Sequence, residues 1–315
     1  GERFPQGERA ADAMFNAVVL RVAAHDWDDA AEAARAFLTR FPRHESADDV
    51  TFYLARALDG DGEIREAAEV YRDYARRSRN QNRQVEAFTR LGQMLMRDGK
   101  TDEANQAFDE AVRLGKRNRR GLREGLYFAA QARFLQGEQV IERFERIAIA
   151  GDTASLRNRL EQKSALLREA ATIFSDVVSF GVAEWVTASL YRIGQTFEGF
   201  ARSMNEFEIP SGLSEVEEQS YRDQLASFVI PMEERALESY EGGYRQAIEL
   251  RIFNRWTALL REGLVRLNEV EYPPMREIGV DLIEAPPLAM PEPLDGLRRR
   301  TPAALSPEAE AEATP

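Results

Sequence analysis

The residues in this chain whose types could do chemistry are two histidines, one acidic glycine turn, a basic run and several carboxylate pairs. His25 is followed by Asp26 and His44 by Glu45. A metal site needs several convergent ligands, and these two lie in separate turns, so both read as surface histidines. Asp59-Gly-Asp61-Gly-Glu63 opens like a calcium loop. Such a loop needs Gly at its sixth position and Glu at its twelfth. Those positions hold Ile64 and Val70, so the segment reads as a turn. The chain has no cysteine, which removes thiolate ligands, disulfides and a cysteine nucleophile. With the histidines so placed, no Ser-His-Asp arrangement forms. Gly115-Lys-Arg-Asn-Arg-Arg-Gly121 has the wrong order for a phosphate-binding loop. Its run Lys116–Arg120 reads as a solvated linker at a helix C-terminus, where cations are favoured; the sharper alternative is a docking patch for an acidic partner. Glu217-Glu218 and Glu233-Glu234 read as solvated helix faces, and Glu142 and Arg146 as an i,i+4 pair. No catalytic residue, metal-ligand set or cofactor site emerges, and the expectation is a protein that is not an enzyme.

The elements that would position any working surface announce themselves by period. Ala30, Ala67 and Ala104 stand 37 residues apart (67 − 30 and 104 − 67), each in a similar phrase: Trp27-Asp-Asp-Ala30, Ile64-Arg-Glu-Ala67, Thr101-Asp-Glu-Ala104. A period in this range signals a repeat array. Residues 1–118 read as three helix pairs. The first runs Arg9 to Ala24 and Trp27 to Phe41, stopped by Pro42. The second runs Ala47 to Leu58 and Glu63 to Arg76 across Asp59-Gly-Asp-Gly62. The third runs Gln84 to Arg97 and Thr101 to Leu114 across Asp98-Gly99, closed by Gly115. Glycine in such turns supplies the left-handed backbone that ends a helix.

These residues resemble the tetratricopeptide repeat. With the periodic alanine at position 20 of that motif, Leu91-Gly92 fall at 7 and 8, Leu95 at 11, Phe108 at 24 and Ala111 at 27. The second repeat keeps Leu54-Ala55, Leu58, Gly62 and Tyr71; the first keeps Ala34 and Pro42 but places Ala17-Val18 and Arg21 at 7, 8 and 11. The longer period is similar to tetratricopeptide proteins of the bacterial envelope, such as the assembly lipoprotein and trimer-coordinating types. The resemblance implies an all-α, right-handed solenoid of stacked antiparallel helix pairs.

Residues 119–279 read as a divergent continuation with longer helices. Leu122 to Leu135 and Glu138 to Ala150 form a pair across Gly137. Leu156 to Phe180 is one long amphipathic stretch whose end, Glu169-Ala170 to Phe174 and Val177, fits the second helix of a repeat, and Glu184 to Met204 fits a first helix, with Leu190, Ile193-Gly194 and Phe197 at 4, 7, 8 and 11. Ser214 and Glu217 have capping-box spacing. Glu215 to Tyr244 is helical with a break near Pro231, and Arg245 to Asn268 is the last helix. The phrases Ala188-Ser-Leu-Tyr191-Arg-Ile-Gly194, Ile209-Pro-Ser-Gly-Leu-Ser214, Tyr221-Arg-Asp-Gln-Leu225, Ala236-Leu-Glu-Ser-Tyr240 and Phe253-Asn-Arg-Trp256 resemble a C-terminal region of periplasmic tetratricopeptide proteins of myxobacteria, including adventurous gliding motility components. In residues 280–315 Pro, Ala and Glu dominate: seven of 13 prolines lie in the last 30 positions. That composition predicts a disordered tail.

Lys and Arg total 42 against 54 Asp and Glu, a net charge of −12. Such a balance argues against nucleic acid, which needs a basic face. No stretch reaches the ~20 apolar residues of a membrane span, so no direct membrane insertion is expected. The implied function is a protein-interaction scaffold of the cell envelope, placed in the periplasm with its export signal removed; a cytoplasmic adaptor or chaperone that binds peptide segments is the alternative. In this repeat type the first helix of each pair lines the inner face. The expected partner groove is therefore Phe15, then Asp49, Phe52, Arg56 and Asp59, then Glu86, Thr89, Gln93 and Met96. A groove of acids and aromatics suits a peptide carrying basic and apolar groups. Phe15 has a second reading, as a residue packed against a neighbouring segment.

Overall fold

A computed structural model describes residues 8–148, 153–206, 212 and 214–274, with the side chains of Glu8 and of 153–157 outside that description. The disordered tail expected over 280–315 lies outside the described residues, as do most of the Ile209–Leu213 loop and the break at Gly151-Asp152. Eleven helices and no strand appear among the described residues: α1 Glu8–Ala24, α2 Trp27–Arg40, α3 Ala47–Asp61, α4 Ile64–Arg77, α5 Gln81–Arg97, α6 Thr101–Arg117, α7 Glu124–Arg146, α8 Thr153–Ser179, α9 Ala183–Asn205, α10 Glu215–Glu249 and α11 Arg255–Leu267. All lie within the compact unit that ends at Pro274.

Chain punctuation explains most of these boundaries. His25, Gly62 and Gly99 stand 37 residues apart (62 − 25 and 99 − 62) and all have left-handed φ, at 63°, 88° and 77°. This is one turn used three times. Glycine adopts that backbone without steric cost, whereas a side chain is strained there. His25 occupies it while stacking on Trp27 at 4.8 Å and 16°. Ser214 and Glu217 form the expected capping box. Asn254 caps α11 by accepting from the amides of Trp256 and Thr257.

Three of the helix pairs are locked by a glycine facing a large ring. In the second pair the equivalent positions hold Ala55 and Tyr71, both fully buried. A Cβ on Gly92 would lie 2.3 Å from the Phe108 ring. The same lock recurs where the 37-residue period has lapsed. A Cβ on Gly137 would lie 2.6 Å from Phe174, and one on Gly194 would lie 2.5 Å from Tyr240. Ala170 and Ala236, four residues before those aromatics, are buried like the periodic alanines. The array is therefore five pairs, α1/α2 to α9/α10, with α11 covering the last.

Four sequence expectations are corrected. Gly137 does not divide two helices: α7 is continuous, and Gly137 stands one residue beyond the turn series (99 + 37 = 136), buried under Phe174. Gly115 does not close α6, which runs to Arg117; its bare Cα instead admits Ala129, 2.4 Å from where a Cβ would stand. Pro231 does not break α10. It lies on the exposed side, where the unpaired carbonyl one turn earlier can be hydrated. The helix expected from Arg245 to Asn268 is split instead: α10 ends at Glu249, Arg251 turns with φ 55°, and α11 begins at Arg255.

Candidate functional site

Helix contacts define the inner layer. Odd-numbered helices touch directly at four of five steps, α1 on α3, α5 on α7, α7 on α9 and α9 on α11, and α3 meets α5 through the ion pairs of Asp49 with Arg83 and Asp59 with Arg97. On the other side, α2 and α4 are joined by the reach of Arg35 to Glu66, and α4 and α6 by Arg72 to Glu103. Layers that touch on one side and reach on the other describe a curve with α1, α3, α5, α7, α9 and α11 inside. The right-handed helix-pair array expected from the repeat is thus the observed fold.

Ion pairs run along that inner layer from helix to helix. Asp49 of α3 pairs with Arg83 of α5. The Arg83 guanidinium also lies 5.2 Å and 5.6 Å from the rings of Phe52 and Tyr53. Asp59 accepts from Arg97 at 3.0 Å and faces Arg90 at 3.6 Å. Arg90 also pairs with Glu86 at 2.7 Å and lies over Phe128 of α7. Arg192 of α9 forks onto Glu138 of α7.

Two of the nine expected groove residues are not on this face. Phe52 is 3 % exposed, packed between Tyr71 and Tyr74. Thr89, 37 residues later, is fully buried and donates its hydroxyl to the carbonyls of Val85 and Phe128. That repeat position is therefore interior, and the next residue, Tyr53 or Arg90, takes the inner face. Phe15, at the same position in the first repeat, is half-buried 6.3 Å from Tyr53. Asp49, Asp59 and Glu86 are engaged in the ion pairs above, and Arg56 is half-buried. Of the nine, Gln93 and Met96 line a cleft.

That cleft, about 360 Å³, lies between α5, α7 and α9. Gln93 and Met96 form one wall. Leu135, Ile141 and the carboxylates Glu138, Glu142 and Glu145 of α7 form another, and Arg192 closes the end. A second cleft of about 270 Å³ follows, sharing Ile141 and Glu145 with the first and continuing over Phe144, Lys163, Glu198, Arg202 and Arg266. Glu198 has a side chain only 9 % exposed and accepts from Tyr240 at 2.6 Å, Arg202 at 2.9 Å and Arg266 at 3.0 and 2.9 Å. Burial by itself would raise its pKa. Hydrogen bonds from Arg266 and Tyr240, with the charges of Arg266 and Arg202, outweigh burial and hold it below the usual carboxylate range. Tyr240 is pushed up by burial and by that carboxylate. Lys163 is 4 % exposed, donates to the Ile147 carbonyl at 2.9 Å and lies 4.2 Å from the centre of the Phe144 ring. Burial lowers its pKa, against the opposing charge of Glu145.

The second cleft escaped sequence reasoning, although a signal existed. Phe174 and Gly194 already stand in repeat register in the sequence, and matching Gly137 to the first and Tyr240 to the second completes the fourth and fifth pairs. The other chemistry-bearing residues have structural duties. His44 sits against Phe37 and Phe41, and its Nδ1 accepts from the Ser46 amide. Lys116, in the basic run, is bonded to Asp176. Glu142 pairs with Arg146 as spaced. Among the described residues no group of three or more His, Asp or Glu is placed to hold a metal ion. No described helix is long and apolar enough to cross a membrane.

Residues 1–107 match the family of YfiO, described as an outer membrane lipoprotein. No curated protein matches the chain. Among solved structures, the tetratricopeptide domain of P58(IPK) is 14 % identical, with 82 % of this chain and 64 % of that chain covered and a TM-score of 0.33. The chain thus spans less than two-thirds of that domain. A tetratricopeptide repeat protein of Parabacteroides merdae is 13 % identical, with 82 % and 98 % covered and a TM-score of 0.33. The C-terminal part of a repeat protein of Cytophaga hutchinsonii is 11 % identical, with 83 % and 100 % covered and the same score. Scores at that level carry nothing about function. The helix pairs, the recurring turn and the small-to-large locks are those of a tetratricopeptide-type array, and its first third carries the sequence pattern of an outer-membrane lipoprotein family.

Proposed function

We propose that this chain is a non-enzymatic scaffold of the bacterial cell envelope, acting in the periplasm, that grips segments of partner proteins in the inner clefts between α5, α7, α9 and α11. Service in a gliding-motility or other envelope machine is the finer form of this reading. One observation carries the binding role: the inner face leaves a walled cleft whose apolar floor, Met96, Leu135 and Ile141, lies beside carboxylates of α7. Glu145 has no ion pair there among the described residues, so a ligand cation would meet an available charge. A pocket with an apolar floor and few polar groups is a common binding geometry. The match of residues 1–107 to an outer-membrane lipoprotein family supports the envelope placement.

The test is a photo-crosslinking amino acid placed singly at Gln93 and Gln139 in the inner cleft, and at the exposed positions Glu69 and Arg76 of the outer helix α4. In intact cells, the two inner positions should trap the same envelope protein and the outer two should not. Adducts formed equally from both faces would refute the groove. Recovery of the chain in the cytosolic fraction would refute the location.

A further inference from the structure

The two inner clefts are neighbours with opposite electrical character. In the first, Glu138 is paired with Arg192 and Glu142 with Arg146, which leaves Glu145 without an ion pair among the described residues. In the second, Lys163, Arg202 and Arg266 stand around Glu198, with Glu145 at the shared wall. Both arginines there converge on the same carboxylate, so one negative charge answers two positive ones. Lys163 adds a third cation: it has a carbonyl and a ring for neighbours, feels the charge of Glu145, and makes no ion pair among the described residues. A buried ammonium without a direct ion pair is costly. A carboxylate delivered into this cleft would complete the set.

We infer that the groove reads a dipolar segment of a partner protein, with a Lys or Arg side chain in the first cleft and an internal Asp or Glu side chain in the second. This rests on the proposed groove function and adds polarity to it. The spacing follows from α7, which walls both clefts. From Glu138 to Glu145 is seven residues (145 − 138), or roughly 10 Å of helix rise. An extended chain crosses that distance in about three residues. A segment inserted backwards would put its carboxylate among the glutamates and its cation beside Lys163, so like charges oppose the wrong direction. The occupant is therefore an internal segment with a defined direction.

The experiment selects random dodecapeptides, displayed with both ends fused, against the full chain. Enriched peptides are then synthesised with blocked termini. Their affinities are measured by fluorescence anisotropy for the parent, for Lys163→Met, and for Arg202→Gln, whose side chain is 61 % exposed and so spares the fold. Enriched peptides should share a basic and an acidic residue at a constant short spacing and order. Changing the peptide acid to its amide should weaken binding at least tenfold for the parent, and less than twofold for either variant. Changing the peptide's basic residue to Gln should weaken binding at least tenfold for all three proteins. No enrichment at all would overturn the groove itself. Enrichment of peptides without an acidic residue, acid dependence unchanged in both variants, or binding that requires a free C-terminal carboxylate would overturn the dipolar reading alone.

Discussion

Gly137→Ala pits two effects of known sign against each other. Gly137 lies inside α7, so alanine would stabilise the helix by about 1 kcal/mol through propensity. In space, the new Cβ would lie 2.6, 2.7 and 3.1 Å from three carbons of the Phe174 ring. Contacts under 3 Å cannot stand, and Phe174 is fully buried, so the ring cannot swing into solvent. Overpacking of this kind costs about 1–3 kcal/mol. The clash should exceed the propensity gain, leaving a net destabilisation of up to about 2 kcal/mol. Phe174→Leu alone should also destabilise, by opening a void, yet the double variant should recover part of the loss because the smaller side chain accommodates the methyl. Urea unfolding followed by circular dichroism gives all four values, and the cycle yields the coupling. In a repeat array the transition need not be two-state, so the reading should come from the segment containing α7 and α8, by hydrogen exchange. A Gly137→Ala protein that is about 1 kcal/mol more stable, with no coupling to Phe174→Leu, would refute the lock and return Gly137 to an ordinary helix-weakening position.

Phe52→Ala should destabilise by about 3–5 kcal/mol as a buried aromatic truncation; an unchanged thermal midpoint would mean that Phe52 faces solvent. His25→Gly should leave stability unchanged or raise it by up to about 1 kcal/mol, since relief of left-handed strain offsets the lost Trp27 stacking and added chain entropy; a loss above 1 kcal/mol would show that the stack outweighs the strain. Glu198→Gln should cost about 2 kcal/mol at neutral pH, toward the low side for a buried pair because Arg266 keeps water contact. The folded pKa of Glu198 is depressed, so its contribution is present above the unfolded value of about 4.3 and fades as pH falls through the folded one. The gap between parent and variant in urea titrations should therefore narrow below about pH 4, and a gap constant from pH 7 to 3 would contradict the ion-pair account.

What the sequence determined by itself was the repeat. Ala30, Ala67 and Ala104 recur because close helix contact tolerates only a small side chain, and Gly62 and Gly99 recur because the turn between helices needs left-handed backbone. Both are local demands, so both leave a periodic trace. The inner-face register was legible only in part: Gln93 and Met96 line the cleft, whereas Phe52 and Thr89 turn inward. A helix of 3.6 residues per turn places neighbouring positions about 100° apart, so an error of one position moves a side chain from groove to core. Only the tertiary structure decided the rest. Gly194 falls at the small contact position of a first helix in the sequence, but Gly137 reads as punctuation until Phe174 is seen against it, 37 residues later (174 − 137). Lys163, Glu198 and Arg266 come from three helices with no shared spacing, and no pattern in the chain announces their meeting. The cleft they form arises from how far α7, α8 and α9 extend past their locks, which is a property of packed helices and not of any stretch of sequence.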